Sequence, residues 1–250
     1  LSLRRQRQMC IRDRAKDDNW KPPLWQALEE NGLTRTWVPE AFNGVGAEYT
    51  DGFEVLRVAG QFAIPVPLGE TLLAGWLLSG SGISVPDGML SVAPVNNNDK
   101  ITLEDDGTLT GKAHAVPYGR EVAQIAVLAE KINGQVVALV NRDDCIIQQH
   151  NNHAEEPRDT IQLDGVAPIE VADTVFTQDH LMRMGATVRC AQMGGALQHI
   201  LNLGVDYAKE REAFGRTISK FQAVQHNLAQ LAGETAALSL IHISEPTRPY

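Results

Sequence analysis

One basic, one aromatic and one amide side chain lie close together where a helical pattern is interrupted. Arg211 precedes Phe214-Gly215, which breaks one predicted helix, and Gln222 follows Phe221, which begins another. A guanidinium at such a helix end can bind a diphosphate through two parallel hydrogen bonds, which a lysine does less well. An amide offers a donor and an acceptor to a polar ligand edge. This spacing is compatible with a diphosphate-binding site, but the residues alone favour a plain helix–turn–helix whose arginine pairs with a neighbouring glutamate or faces solvent.

The elements that must position these residues fall into three regions of different periodicity. Residues 19–84 show helical spacing, with Pro22 suited to the first turn of a helix and Gly32 suited to its C-terminal cap. A period of two replaces this spacing over residues 85–177, and helical spacing returns beyond them. We therefore predict an N-terminal helical domain (15–87), a middle β domain (88–178) and the start of a C-terminal helical domain (179–237).

The middle region reads as short strands joined by turns. Asp105-Asp106-Gly107 and Asn133-Gly134 are hairpin signals. Because no helical stretch separates the strands, an antiparallel β-barrel or sandwich is favoured over a parallel sheet. The predicted fold class is α+β and multidomain. Strands are expected at residues 90–93, 101–103, 122–129, 136–140 and 160–163.

Two apolar stripes at helical spacing follow the β region. The first comprises Met193, Leu197, Ile200, Gly204 and Tyr207. The second comprises Phe221, Val224, Leu228, Leu231 and Thr235. Close approach of the helices is predicted at the small residues Gly194, Gly195, Ala196 and Gly204.

Composition narrows the classes of function. The chain has 250 residues, with 22 basic and 31 acidic side chains and a formal net charge of −9, which argues against a nucleic-acid partner. No apolar run reaches the roughly 20 residues of a membrane-spanning helix. The three cysteines cannot form a disulfide framework, so we expect a reducing, cytoplasmic compartment.

Other motifs point to structure rather than chemistry. His150 and His153 flank two asparagines in a polar loop, which predicts solvated side chains and no metal site. The sequence has no dinucleotide-binding glycine motif after a strand, no P-loop and no nucleophile elbow. The segment around Arg211 therefore remains the main candidate site.

Both ends of the chain carry unusual sequence. Residues 9–14 and 238–243 can be encoded by one short DNA element read in opposite orientations. We interpret residues 1–14 and 238–250 as non-native, adapter-like segments from sequencing-library preparation, and expect the natural protein to continue past residue 237. The alternative for the first segment is a basic targeting arm.

The segment YAKEREAFGRTISKFQAVQ at residues 207–225 resembles the acyl-CoA dehydrogenase family, whose C-terminal helical domain opens with Y-x-x-x-R-x-x-F-G-x-x-I-x-x-F-Q-x-x-Q. The loop VPEAFNGVG at residues 38–46 is similar to the family's V-P-E-x-x-G-G-x-G, and the α–β–α order agrees over residues 15–237. The resemblance implies a flavoprotein in which Arg211, Phe214, Phe221 and Gln222 contact FAD held mainly by a neighbouring subunit. It also implies a homo-oligomer, or paired unlike subunits.

The activity implied by the resemblance is FAD-dependent α,β-dehydrogenation of an acyl-CoA thioester, an oxidoreductase reaction on a CH–CH group in fatty-acid or lipid catabolism. Electrons would pass to an electron-transfer flavoprotein. Most members supply the catalytic base, a glutamate, from a late helix, expected here beyond residue 237. Some supply it at the position that Gly185 and Ala186 occupy here, so no catalytic residue is named and the fragment is expected to be inactive.

The middle domain departs from the family pattern. The T-E-P-x-x-G-S-D stretch is absent, and Ala115 and Pro117 stand where Trp and Thr of the W-I-T stretch usually face the flavin. Proline has no N–H to donate. These departures leave two alternatives open: a flavin-poor structural partner of a heteromeric dehydrogenase, and a flavin oxidase or monooxygenase on the same fold.

Overall fold

The computed structural model describes residues 20–244, so the first adapter-like segment and the last part of the second lie outside the described residues. Three helices form the N-terminal layer: α1 (Lys21–Glu30), α2 (Tyr49–Gln61) and α3 (Leu68–Gly80). As predicted, α1 has proline in its first turn, and Gly32 follows its end in the left-handed region with φ of 71°. Helix α3 is buried on almost every side, which is typical of a central core helix.

The loop over residues 38–46 folds back on itself. It contains a short 3-10 helix (Glu40–Phe42), and Asn43, where the family pattern has Gly, adopts a φ of 59° that Asn tolerates better than most residues. A Cβ at Gly44 would lie 1.9 Å from the carbonyl oxygen of Val38, so only glycine fits there. The glycine pattern of this loop therefore has a steric origin.

The middle region forms one mixed sheet of eight strands. Its order is β6-β7-β3-β2-β4-β5-β8, and β1 also pairs with β4. Its strands are β1 (Leu90–Ala93), β2 (Lys100–Leu103), β3 (Leu109–Pro117), β4 (Gln124–Lys131), β5 (Gly134–Asn141), β6 (Ile146–Gln148), β7 (Arg158–Val166) and β8 (Glu170–Thr174). Five of the seven strand pairings are antiparallel, as expected. The other two pairings are parallel. Both involve β4, which pairs with β1 near its start and with β2 near its end.

Two hydrophobic cores share strands β4 and β5. Side chains on one face of these strands, such as Leu128 and Leu139, join the helices of the N-terminal layer in the first core. Those on the other face, such as Val127 and Ala138, join β2, β3 and β7 in the second. The apolar runs of β4 and β5 are continuous because both faces are buried. The predicted helical and β domains are thus joined through a common core.

A 33-residue helix, α4 (Gln178–Glu210), crosses the helical layer. Its hydroxyl N-cap, Thr177, accepts a hydrogen bond from the backbone N–H of His180 at 3.3 Å. Close helix approach is confirmed where a Cβ at Gly195 would lie 1.8 Å from the carbonyl oxygen of Arg57 on α2. In the reverse direction, a Cβ at Gly60 would meet the carbonyl oxygen of Gln192 at 2.0 Å. Gly194, by contrast, has open space around it.

The two predicted apolar stripes lie on α4 and on α5 (Gln222–Ser244), which continues past residue 237. The first stripe is only partly covered: Met193, Ile200 and Tyr207 remain 50%, 52% and 60% exposed. The periodicity therefore predicted the helix correctly, but it did not identify a buried face. Within residues 20–244, no helix combines the length and apolarity needed to cross a membrane.

The paired glycines of α4 give opposite expectations for alanine substitution. Gly195→Ala should lower the free energy of unfolding by about 1–3 kcal/mol, because the new methyl group separates α4 from α2. Gly194→Ala, the matched control, should raise it by about 0.5–1 kcal/mol through helix propensity. Urea denaturation measures both changes. Shifts of the same sign in the two variants would contradict a packing role specific to Gly195.

Candidate functional site

A cleft of about 390 Å³ lies between the sheet and helices α3 and α4. The sheet contributes Val92, Val95, Ala115, Pro117 and Arg158 to its wall. The helices contribute Glu70, Leu73, Leu181, Met182, Gly185, Ala186 and Arg189. The four positions that the family resemblance singles out in the sheet and helix, 115, 117, 185 and 186, thus line one cavity.

The sheet side of the cleft is an irregular strand end. The pairing of β3 with β7 shifts register between Ala113 and Val116, which is the mark of a β-bulge. Ala115 within the bulge has a φ of 57°, an uncommon conformation for a residue other than glycine. Pro117 lacks an N–H, and its carbonyl oxygen accepts a hydrogen bond from the Ser91 hydroxyl at 2.6 Å. The bulge therefore re-aims the backbone of β3 beside the cleft, and the strand then resumes its pairing with β7 at Val116 and Pro117.

The helix side of the cleft carries an ion pair between Glu70 and Arg189. Glu70 lies in the first turn of α3, where a negative charge suits the helix dipole, and its side chain is only 2% exposed. The Thr71 hydroxyl fixes this turn by hydrogen bonds with the backbone N–H and carbonyl of Leu90. A Cβ at Gly69 would lie 3.0 Å from Val188, so the glycine lets α3 approach α4 beside the pair.

The guanidinium of Arg189 is held by two partners. Its Nη2 donates to Glu70, and its Nη1 donates to Gln192 at 2.7 Å. Burial by itself would lower the pKa of Arg189, but the charge and hydrogen bond of Glu70 outweigh burial and raise that pKa. Arg189 therefore stays charged while its side chain is 38% exposed beside the cleft. Across the cleft, Arg158 pairs with Glu156 at 3.0 Å.

The predicted binding residues gather around a turn at the far end of α4. Helix α4 ends at Glu210, and the two-residue strands β9 (Glu212–Ala213) and β10 (Arg216–Thr217) form a hairpin before α5. Phe214 and Gly215 form its tip with φ of 53° and 76°. Phe214 is 96% exposed, and Arg211 and Gln222 are exposed as well. The predicted helix break is confirmed.

Aromatic contacts organise this turn. The rings of Phe214 and Phe221 meet edge to face with centroids 6.2 Å apart, and the guanidinium of Arg216 lies 4.3 Å from the centroid of Phe221. The backbone of Arg211 bonds to both flanking elements, accepting from the N–H of Ile218 at 2.8 Å. Within the described part of the chain, its side chain forms no ion pair with either neighbouring glutamate. Its exposed side chain faces solvent, which the plain helix–turn–helix alternative also expects, so the fold of the single chain agrees with both interpretations.

The structure does not bring this turn to the cleft. Arg189 and Arg211 are separated by 22 positions along the chain, almost all within α4. At about 1.5 Å per helical residue this is roughly 33 Å. The two groups of residues therefore cannot contact the same reacting atom from within one chain.

Glu70 and Arg189 are the cleft residues that sequence reasoning missed. A signal for Glu70 was present, since it is the one charged residue among the apolar and small residues 65–80, and a charge there requires a partner when buried. Arg189 gave no comparable signal because α4 also carries Arg183 and many other polar residues. Among the residues described, no group of three or more His, Cys, Asp or Glu side chains is arranged to hold a metal ion.

Known proteins resemble this chain both in the C-terminal motif and along most of its length. Residues 177–243 match the family model described as acyl-CoA dehydrogenase, C-terminal domain. The acyl-CoA dehydrogenase IpdE2 of Mycolicibacterium smegmatis is 29% identical over 233 residues, which cover 91% of this chain and 67% of that protein. FadE27 of Mycobacterium tuberculosis, another acyl-CoA dehydrogenase, is 29% identical over 82% of this chain and 61% of its own length.

Solved structures extend the likeness to the fold. The steroid acyl-CoA dehydrogenase (ACAD) Tcur3481-Tcur3483 superposes with a TM-score of 0.76 at 25% identity, covering 89% of this chain and 67% of that one. The ChsE4-ChsE5 complex of Mycobacterium tuberculosis gives 0.71 at 27% identity, covering 88% and 67%. Together with the helix–turn–helix motif and the cleft, these relatives show that the chain resembles acyl-CoA dehydrogenases along most of its length, and that its C-terminal part matches the C-terminal domain of that family.

Proposed function

We propose that this protein takes part in FAD-dependent α,β-dehydrogenation of an acyl-CoA thioester, with the reacting carbons in the cleft between the sheet and α4. The observation that carries the proposal is the convergence of Ala115 and Pro117 with Gly185 and Ala186 on one cavity. The family resemblance places the flavin against the first pair and the acyl group between the sheet and the helices. Apolar side chains such as Leu73 and Leu181 suit an acyl chain there.

The residues present fit a flavin in part. Position 117 offers no N–H, and its carbonyl oxygen already accepts one hydrogen bond from Ser91. The pairing of β3 with β2 reaches only Lys112. The last residues of β3, which include the bulge at Ala115, therefore have no β2 partner on that edge. Backbone groups on such a strand edge can bond a planar ligand. When bound, FAD supplies the acceptor for the hydride that leaves the β-carbon.

The turn around Arg211 supports a cofactor site shared between subunits. Arg211, Phe214, Phe221 and Gln222 lie too far from the cleft to serve it within one chain, yet three of them are exposed. The partly uncovered stripe on α4 offers an apolar surface for assembly. One neighbour in the comparison, ChsE4-ChsE5, is a complex of two differently named chains, so an unlike partner is as consistent with this surface as a second copy.

The proton acceptor is not supplied at positions 185 and 186, which carry no titratable group. Glu70 is a carboxylate of the cleft wall, but Arg189 engages it. We therefore assign no catalytic base to the cleft residues described. Transfer of electrons to an electron-transfer flavoprotein is part of the same proposal.

Flavin content tests the proposal directly. The protein, purified with any partner that accompanies it, should carry visible flavin absorbance or gain it on incubation with FAD. Anaerobic addition of an acyl-CoA should then bleach that absorbance as the flavin is reduced. A protein that stays colourless with excess FAD, alone and with its partner, would contradict the proposal.

Substitution of Arg211 should weaken FAD binding without affecting the fold. Removing a guanidinium from a diphosphate should raise the dissociation constant about tenfold or more for Arg211→Ala, and less for Arg211→Lys. Fluorescence titration with FAD measures both. Arg183→Ala is the matched control, since Arg183 is an exposed arginine on α4, the helix that ends just before Arg211, and its ion-pair partner among the described residues is Asp179. Equal effects at positions 183 and 211 would count against the assigned role.

Phe214→Gly separates stability from binding. Because Phe214 is 96% exposed and has a φ of 53°, glycine should leave the free energy of unfolding unchanged or raise it by up to about 1 kcal/mol. The same variant should retain less FAD, since the exposed ring is lost. Thermal unfolding and the flavin-to-protein absorbance ratio give the two readings. Unchanged flavin retention would remove Phe214 from the proposed site.

A second candidate is a structural partner subunit without flavin of its own. Two features favour this candidate. Pro117 has no N–H to donate to a flavin, and positions 185 and 186 carry no titratable side chain. In that case the Arg211 turn would still complete the flavin site of the other subunit. Flavin would then appear only in the co-purified complex, and Arg211→Ala would lower it there.

A further inference from the structure

The cleft wall combines apolar side chains with a charged group that packing alone does not require. Leu73, Val92, Leu181 and Met182 make most of its surface hydrophobic. Arg189 interrupts that surface from α4, one helical turn after Gly185. An unsubstituted alkyl chain would gain nothing from a guanidinium there, and it would desolvate the charge.

Arg189 is built as a fixed donor rather than as a closed internal ion pair. Its hydrogen bonds to Glu70 and Gln192 use two of the five N–H groups of a guanidinium. Glu70 is almost fully buried, but the side chain of Arg189 remains 38% exposed. The carboxylate therefore anchors the guanidinium from behind while part of it stays available at the cleft surface.

The balance of charge favours a neutral ligand atom. Glu70 offsets Arg189, and Glu156 offsets Arg158, which also lines the cleft. For an anionic group in the cleft, the negative charges of the two glutamates would offset the attraction of the two arginines. A carbonyl or hydroxyl oxygen accepts a hydrogen bond from a guanidinium without requiring an excess positive charge.

We propose that Arg189 binds a neutral oxygen substituent on the acyl group, so that the cleft selects CoA thioesters of keto or hydroxy acyl groups over alkyl chains of equal length. Glu70 is a positioning residue that holds the guanidinium in place. This inference rests on the proposed function of the cleft, and it names the substrate class.

Binding of three five-carbon thioesters tests the inference: pentanoyl-CoA, levulinoyl-CoA with a ketone, and glutaryl-CoA with a carboxylate. Calorimetric titration of the holoenzyme, with its partner where one co-purifies, gives the dissociation constants. We expect levulinoyl-CoA to bind about tenfold more tightly than pentanoyl-CoA, the effect of one hydrogen bond to a charged donor. Glutaryl-CoA should bind less tightly than levulinoyl-CoA.

The informative variant removes the whole ion pair, because Arg189→Met alone would leave Glu70 buried without a partner. In Glu70→Gln/Arg189→Met the preference should disappear, so that levulinoyl-CoA binds no more tightly than pentanoyl-CoA. Arg183→Ala should keep the preference. Circular dichroism tests whether each variant is folded. If the double variant is not folded, Glu70→Gln alone replaces it. That single variant keeps the guanidinium but loses its charged anchor, so its preference for levulinoyl-CoA should be weaker than that of the unmodified protein.

Several results would overturn the inference. Equal binding of levulinoyl-CoA and pentanoyl-CoA by the unmodified protein would do so, as would an undiminished preference in Glu70→Gln/Arg189→Met or, where that variant is not folded, in Glu70→Gln. Tightest binding of glutaryl-CoA would overturn the neutral-oxygen assignment. If flavin is retained and pentanoyl-CoA binds, such results leave the proposed function intact; if no thioester binds and no flavin is retained, both fail together.

Discussion

The close crossing of α2 and α4 is the constraint on which the rest of the structure depends. Backbone atoms of the two helices meet at Gly60 and Gly195, where even a methyl group would lie within 2.0 Å of a carbonyl oxygen. This contact fixes the helix that forms one wall of the cleft. Because α4 is a single helix of 33 residues, fixing its first half also directs where Arg211 is presented. The cleft and the turn are therefore coupled through one rigid element.

The Glu70–Arg189 pair shows how the fold accommodates charge in its core. A buried carboxylate without a partner is strongly unfavourable, and a buried ion pair is often no more stable than a hydrophobic replacement of similar volume. The surrounding residues nonetheless favour the pair: the first turn of α3 suits the negative charge, and Gly69 permits the close approach. Such an arrangement is better explained by the guanidinium that it presents to the cleft than by stability.

Local signals in the sequence predicted most elements. Pro22, Gly32 and the Asn133-Gly134 hairpin appear where expected, because turn and cap residues act through their own backbone. Strand β3 was missed, since Gly111, Lys112 and His114 interrupt its alternation and its pairing with β7 is long-range. The parallel pairing of β1 with β4 has no local signal either.

The candidate site also has one part that local sequence signals predict and one part that depends on long-range contacts. The turn around Arg211 is local, so its spacing predicted its shape before its surroundings were known. The cleft joins residues from five elements, and an ion pair such as that of Glu70 and Arg189 spans 119 positions, which periodicity does not reveal. What the sequence could supply was the family resemblance, which marked positions 115, 117, 185 and 186 without showing what lies between them.

Three of the residues with strained backbone lie in or near the two candidate regions. Ala115 lines the cleft, Tyr118 directly follows Pro117, and Phe214 forms the exposed turn, all with positive φ. For residues other than glycine such conformations cost about 1–3 kcal/mol each. Tyr118 recovers part of this cost because its ring is 96% buried, with 4% exposed, whereas the ring of Phe214 is almost fully exposed. At Phe214 the turn itself provides the compensation: Phe214 and Gly215 are the two central residues of the hairpin between β9 and β10, a turn that requires positive φ at both positions, and the strand pairing and the contact with Phe221 stabilise it.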